Sequence, residues 1–327
     1  MSSNPIATPL GTTLSTPSPT ELQDQDPLAA EAEKASMPHS HSTQALKHIY
    51  LVVATTPCKN GRLGIGMNGK LPWPMIRADM DYFKKVTRDG SGTGTYDGSV
   101  GKVSNSVIMG RKTYESIPPR FRPLAGRNNV IVTRSKPMDV ARSILDDLEK
   151  QAGDARGKRA ELERKQAESP TATVTQQLKM AEAEFEVVSN DETNTVAVRS
   201  KIEGVVPGVT IGSNLRSAAE HCLSQSGEVY CIGGAEIYNA FLKDETLRPK
   251  LRILQTEIRK LKDDEEFECD TFWPEDLEDA QNGWSEVQTG QLQKWTRVEP
   301  PQGASVDWTD DEKVGVRLRV RGWEPKS

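Results

Sequence analysis

The feature that most limits what this chain can become is a recurring alternation. Short apolar runs rich in β-branched and aromatic residues are separated by stretches with helical periodicity. The runs are Ile49-Tyr-Leu-Val-Val-Ala, Ser106-Val-Ile-Met, Asn129-Val-Ile-Val-Thr, Glu228-Val-Tyr-Cys-Ile and Leu251-Arg-Ile-Leu-Gln-Thr. Strands apolar on both sides must be covered on both faces, which a largely parallel sheet between helices achieves. A last run, Val314-Gly-Val-Arg-Leu-Arg-Val, alternates instead and reads as an edge or antiparallel member. The runs fall in two blocks, 46–135 and 201–327, of a single α/β domain.

Two segments break this texture and lower the apolar fraction to 35%. Residues 1–45 are rich in Ser, Thr and Pro without aliphatic periodicity, so a disordered N-terminal tail is expected. Residues from about 136 to 200 carry a charge run and then a Thr/Gln-rich stretch. Leu145, Leu148 and Leu162 are sparse, and Gly153 and Gly157 interrupt the helical pattern. A charged insertion, partly helical or disordered, is expected, and its deletion over 140–198 should leave folding largely intact. A partner-binding helix is the alternative; interleaved acidic residues oppose a nucleic-acid patch.

Several classes are excluded. No apolar run approaches the ~18 residues of a membrane span, and no leader is evident. Cys58, Cys222, Cys231 and Cys269 have no CxxC spacing, so neither a disulfide framework nor a metal site is expected. A net charge of −5 weighs against a dedicated nucleic-acid binder. A reducing, cytoplasmic setting is expected, with mitochondria left open.

The stretch from Pro74 to Thr87 reads as a helix with Pro at its start and Ile76, Met80 and Phe83 as its buried stripe. Asp81 has Arg77, Lys84 and Lys85 at helical spacing and belongs to a solvated face. Asp79 flanks the apolar stripe, where partial desolvation would raise its pKa. Interaction of an N-terminal Asp with the helix dipole is the plainer reading of the same position.

Three strand ends suit an anionic dinucleotide. Val107-Ile-Met-Gly110 runs into a helix beginning Arg111-Lys112, and Val229-Tyr-Cys-Ile ends in Gly233-Gly234 before another helix. The third end, Thr133-Arg134, favours a 2′-phosphate, hence NADPH over NADH. Each alone is weak: paired glycines are often only a tight turn. No GxGxxG fingerprint is present. The loop Gly64-Ile-Gly-Met-Asn-Gly-Lys-Leu-Pro-Trp-Pro combines flexible glycines with a stiff end, as a lid over substrate would.

Together that loop, Asp79, Val107-Ile-Met-Gly-Arg-Lys-Thr, Ser116-Ile-Pro, Arg122-Pro-Leu-Ala-Gly-Arg, Ile232-Gly-Gly-Ala-Glu-Ile-Tyr and Asp270-Thr-Phe-Trp-Pro closely resemble the dihydrofolate reductase family, in order, over roughly 48–135 and 203–325. The resemblance implies a three-layer αβα fold around an eight-stranded, mostly parallel mixed sheet. It also implies NADPH-dependent reduction of 7,8-dihydrofolate to tetrahydrofolate for one-carbon metabolism and thymidylate and purine synthesis. Antifolates would be inhibitors, and a monofunctional monomer without nucleic-acid or membrane partners is expected.

Carried over by position, the resemblance makes Asp79 the acid that binds the pterin and promotes N5 protonation through water. Trp73 anchors that water, and Tyr238 lies near the nicotinamide. Thr256 supports the pterin amino group, with the Val52 and Ile232 carbonyls at the same edge. Val53, Met80 and Leu71 shape the pocket, Phe83, Ile117 and Leu124 line the benzoyl portion, and Arg127 grips the glutamate α-carboxylate. For the cofactor, Ala54 and Ile65 meet the carboxamide, and Gly110, Arg111, Lys112 and Thr113 cradle phosphate. Thr133 and Arg134 take the 2′-phosphate, while Gly233, Gly234, Ala235, Glu236 and Ile237 cover the pyrophosphate, with a cis Gly-Gly bond. Thr55 to Leu63 is longer than the family's connection, and the insertion leaves beside Arg134, where it would crowd the adenosine end near Asn214. A reductase of the riboflavin pathway and a silent ligand-binding module are the rivals; Asp79 and Arg127 oppose the first, and the full acid–cofactor set the second.

Overall fold

The structure is a computed structural model, and it describes residues 47–89, 104–202, 206–225, 227–262, 265–301 and 308–326. The expected tail, 1–45, lies outside the described residues. In chain order the strands are β1 (Ile49–Pro57), β2 (Leu63–Gly66), β3 (Asn105–Gly110), β4 (Arg127–Val132), β5 (Phe185–Asn190), β6 (Thr195–Ser200), β7 (Val209–Gly212), β8 (Val229–Cys231), β9 (Leu251–Lys260), β10 (Thr271–Phe272), β11 (Trp284–Val287), β12 (Thr309–Asp311) and β13 (Val316–Pro325). The helices are α1 (Arg77–Asp89), α2 (Arg111–Ser116), α3 (Pro137–Gly157), α4 (Arg159–Glu168), α5 (Ala172–Glu182), α6 (Leu215–Ser224), α7 (Ala235–Lys243) and α8 (Thr289–Thr296).

The strands join in one mixed sheet of order β11-β13-β9-β1-β8-β3-β4-β7-β6-β5. Pairing from β9 to β7 is parallel throughout, whereas β13, β11, β6 and β5 run antiparallel to their neighbours. The alternating last run, β13, is therefore antiparallel but internal, between β9 and β11. The path from β11 to β7 contains the expected eight strands; β6 and β5 extend it, and short β2, β10 and β12 attach at its margins.

Pleating sends alternate apolar residues to opposite faces. Tyr50, Val107, Met109 and Ile131 join a core with Tyr82 and Val86 of α1 and Leu292 and Trp295 of α8. Ile49, Leu51, Ile108 and Val130 join a second core with Cys222 of α6 and Phe241 of α7. Continuous apolar strands thus give three layers. Helix α6 is capped by the side chain of Asn214, which accepts from Ser217 N at 3.0 Å.

The segment 136–200 departs most from expectation. It forms α3, α4, α5 and the hairpin β5–β6, and β6 pairs with β7 at the end of the parallel sheet. Helix α3 buries Val140, Ala141, Ile144, Leu148, Ala152 and Ala155, spaced along one face. Three of these are alanines, which a search for leucines overlooks; their small side chains let the helix lie close on the sheet. They share the first core with Val198, Val209 and Ile211. Arg156 secures the end of α5, donating to the carbonyls of Ala181 at 3.1 Å and Ala183 at 2.7 Å. The charged, solvated character expected of the whole segment is most marked in α4, where i,i+4 ion pairs surround one buried residue, Leu162.

Gly153 does not break α3. It is exposed, with open space where a Cβ would project. Gly153→Ala is expected to raise the unfolding free energy by about 0.5–1 kcal/mol, because Ala loses less backbone freedom on entering a helix. A later midpoint in urea checks this; an earlier one would contradict it.

Candidate active site

The carboxyl ends of parallel strands in an open α/β sheet are where ligands bind. Here they open into a cleft of about 2440 Å³. Val52, Val53, Ala54, Ile232 and Thr256 come from the sheet. One side carries Trp73, Asp79, Met80, Phe83, Ile117, Leu124 and Arg127, with Leu71 on the lid at 47% exposure. The other carries Ile65, Gly110, Arg111, Lys112, Thr113, Thr133, Arg134, Gly234, Ala235, Glu236, Ile237 and Tyr238. Gly233 lies behind this wall, its carbonyl accepting from Gly110 N at 2.7 Å, and Asn214 serves as the α6 cap.

Asp79 sits in the first turn of α1, which starts at Arg77 rather than Pro74. The buried face of α1 differs from the expected stripe. Tyr82 and Val86 are buried, three and seven residues after Asp79, so Asp79 is on the buried face itself. Ile76 is buried, but Met80 is exposed and Phe83 half-buried, and both line the cleft. Asp81 pairs with Arg77 on the solvent side. Asp79 is 6% exposed; burial pushes its pKa up to about 6, against a smaller opposing effect of the hydrogen bond from Thr256. Trp73, six residues before it, is buried and lies edge-on to Phe267 at 5.8 Å between ring centroids.

Tyr238 is not available as a proton source. Its hydroxyl donates to the Val52 carbonyl at 2.6 Å, and burial pushes its pKa well above the usual range. The residue instead ties α7 to β1, so the Val52 carbonyl has one of its two lone pairs already engaged.

The two glycine turns meet closely. A Cβ on Gly110 would lie 3.2 Å from Ile237 Cγ1, and one on Gly234 3.3 Å from Thr113 Oγ1. The Gly233–Gly234 bond is cis, and Gly233 has φ +98°, a conformation that suits glycine. Gly234 caps α7 without a side-chain bond, and the Ile237 N–H donates to the Gly234 carbonyl at 2.9 Å, so the N–H groups of Ala235 and Glu236 are the ones that could meet an anion. Arg134 spans this opening, its guanidinium 2.8 Å from Glu236 with both side chains largely exposed. Such an exposed pair is weak and yields readily to a phosphate.

Arg127 is 7% exposed and donates to Thr87 Oγ1 at 2.8 Å and to the Ala125 carbonyl at 3.1 Å. Thr87 in turn donates to the Phe83 carbonyl at 2.8 Å. Sequence reading missed Thr87, although its place one turn after Phe83 was a usable signal. It also missed Arg122, which donates to the carbonyls of Glu115 and Ile117 and pairs with Asp147 of α3 at 3.0 Å. Nothing in the sequence pairs a loop residue with an acid on that helix. The lid is held from outside: Asp270 accepts from Asn68 N at 2.7 Å and donates its own N–H to Gly66 O at 3.0 Å. Among the described residues no cluster suits a metal ion, and no helix is long and apolar enough to cross a membrane.

The family model described as "Dihydrofolate reductase" matches residues 48–163 and 175–299. A dihydrofolate reductase of Pneumocystis carinii is 28% identical over 260 residues, covering 79% of this chain and 89% of that protein. One from Cryptococcus neoformans is 51% identical over 70 residues, 21% of this chain and 28% of its own length. A bifunctional dihydrofolate reductase-thymidylate synthase of Arabidopsis thaliana is 46% identical over 91 residues, 28% of this chain, and only 15% of that protein is covered. With the matched residues running through most of the sheet and both walls of the cleft, the chain belongs to the dihydrofolate reductase family.

Proposed function

We propose that the chain catalyses NADPH-dependent reduction of 7,8-dihydrofolate to 5,6,7,8-tetrahydrofolate, in a cytoplasmic setting. The observation that carries this reading is a nearly buried carboxyl group, Asp79, opening on a cleft whose far side offers glycine turns and cations. Residues 46–327 are read as one reductase domain, with 136–200 as a folded insertion.

The buried edge of the cleft suits a pterin. Asp79, supported by Thr256, accepts from the amino-pyrimidine edge, and the Val52 and Ile232 carbonyls face the same edge. Phe83, Ile117 and Leu124 offer apolar surface to the benzoyl ring, and Arg127 a guanidinium to the α-carboxylate. The reaction adds a hydride to C6 and a proton to N5. With its pKa raised to about 6, Asp79 holds a proton at a pH where an ordinary aspartate has lost it. It passes that proton toward N5 through water, and Trp73 and the lid limit access of bulk solvent. NADPH, when bound, supplies the hydride. Gly234, Ala235 and the Thr113 turn would hold its pyrophosphate, and Thr133 and Arg134 the 2′-phosphate.

Spectrophotometric assay of NADPH oxidation is expected to show turnover that depends on added dihydrofolate; none would overturn the reading. Arg134→Gln is expected to raise the KM for NADPH about tenfold, since a charge-assisted bond contributes roughly 1.5–3 kcal/mol. The KM for NADH should change little, and an equal rise for both cofactors would place Arg134 elsewhere.

A further inference from the structure

Cys58 follows the end of β1 and Cys269 precedes β10, with β2 running between those strands. Gly64 of β2 lies beneath both sulfurs. A Cβ placed there would be 2.2 Å from Cys269 Sγ and 2.9 Å from Cys58 Sγ. Both sulfurs therefore converge on the same position above the β2 backbone. Their other contacts are long, to the carbonyls of Thr56 at 3.7 Å and Phe267 at 3.8 Å. Both line a surface cavity of about 440 Å³, separate from the cleft, so small solutes reach them. None of the functions derived above uses this pair.

We propose that Cys58 and Cys269 form a dithiol that closes to a disulfide by exchange with a low-molecular-weight disulfide such as oxidised glutathione. Burial and the neighbouring Cys58 push the Cys269 thiol up, which suits Cys269 as the resolving sulfur and leaves the first attack to Cys58. Its thiolate displaces one glutathione and forms a mixed disulfide. The Cys269 sulfur then attacks Cys58 Sγ and releases the second. Two protein thiols are oxidised, one glutathione disulfide is reduced, and the two cysteine protons end on the released thiols.

The bond would fix the lid from outside. Cys269 adjoins Asp270, which binds Gly66 and Asn68, and Trp273 N donates to Leu63 O at 2.8 Å. Joining Cys269 to β1 therefore restrains both flanks of β2 and the loop that continues from it.

The test is a non-reducing peptide map of the full chain after incubation with oxidised glutathione and alkylation of remaining thiols. The expected product joins the peptides of Cys58 and Cys269, disappears on reduction and is absent from Cys269→Ser. Amide hydrogen exchange across 63–73 should slow, and turnover should fall about threefold or more, since lid motion limits many such enzymes. Reduction should restore both, and Cys58→Ala should be insensitive to the oxidant. Thiols that remain alkylatable, or that carry separate glutathione adducts, would overturn the bond. A joined peptide with unchanged exchange would overturn the restraint. Neither of those two readouts requires that the chain reduce dihydrofolate.

Discussion

Asp79→Asn is expected to lower turnover roughly 100-fold or more while making the protein more stable at pH 8. The two effects share one cause. In the unfolded chain Asp79 ionises near 3.8, whereas in the folded chain burial delays ionisation to about 6. Between those values folding takes up a proton, so the stability contributed by this site falls as pH rises, and above about 6 the native state holds a desolvated charge. A shift of that size corresponds to about 3 kcal/mol. The amide carries no charge and removes the penalty, less whatever the altered bond to Thr256 costs. Below about pH 4 both side chains are neutral and the stability gain should vanish. Urea denaturation of both proteins at pH 8 and pH 4, with turnover measured alongside, checks the pair of effects. A variant no more stable at pH 8, or one with undiminished turnover, would contradict them.

Leu148→Ala is expected to cost about 2–5 kcal/mol, the range for truncating a buried leucine. Leu148 is 1% exposed on α3 and shares a core with Val107, Ile131 and Ile211 of the parallel sheet. The loss is a large share of the roughly 5–15 kcal/mol that holds a domain together. It reaches the cleft as well. Asp147 beside it pairs with Arg122, whose bonds to the Glu115 and Ile117 carbonyls fix the turn carrying Ile117. Calorimetry or urea unfolding reads the cost; a change under about 1 kcal/mol would mean that α3 packs independently of the sheet. By the same packing, deleting 140–198 would uncover Val209 and Ile211, and loss of solubility is expected, contrary to what the charge pattern suggested.

What the sequence showed and what it hid follow from different physics. The parallel core was legible because β1, β3, β4, β8 and β9 are buried on both sides and so carry unbroken apolar runs. Gly110, Gly234 and Arg134 stood out because glycines and cations at strand ends suit a phosphate, and all three line the cleft. Asp79 was singled out, but periodicity alone put Met80 and Phe83 on a buried stripe where the resemblance put them in the pocket; both line the cleft, and apolar residues facing a ligand have the same periodicity as residues facing a core. The order in 136–200 was hidden because half of the buried residues of α3 are alanines. Tyr238 was singled out as a site residue, yet no pattern in the sequence shows its hydroxyl committed to the Val52 carbonyl. The juxtaposition of Cys58 and Cys269 depends on three strands meeting, which no local pattern records.

In the proposed reaction a sheltered carboxyl group on α1 governs protonation during hydride transfer. Single-turnover kinetics with protiated and deuterated NADPH, followed across pH, test it most directly. The expected hydride-transfer rate falls roughly tenfold per pH unit above about pH 6, with a primary isotope effect, and Asp79→Asn shows no such limb. A parent rate that stays level across that range, or an identical limb in the variant, would contradict it.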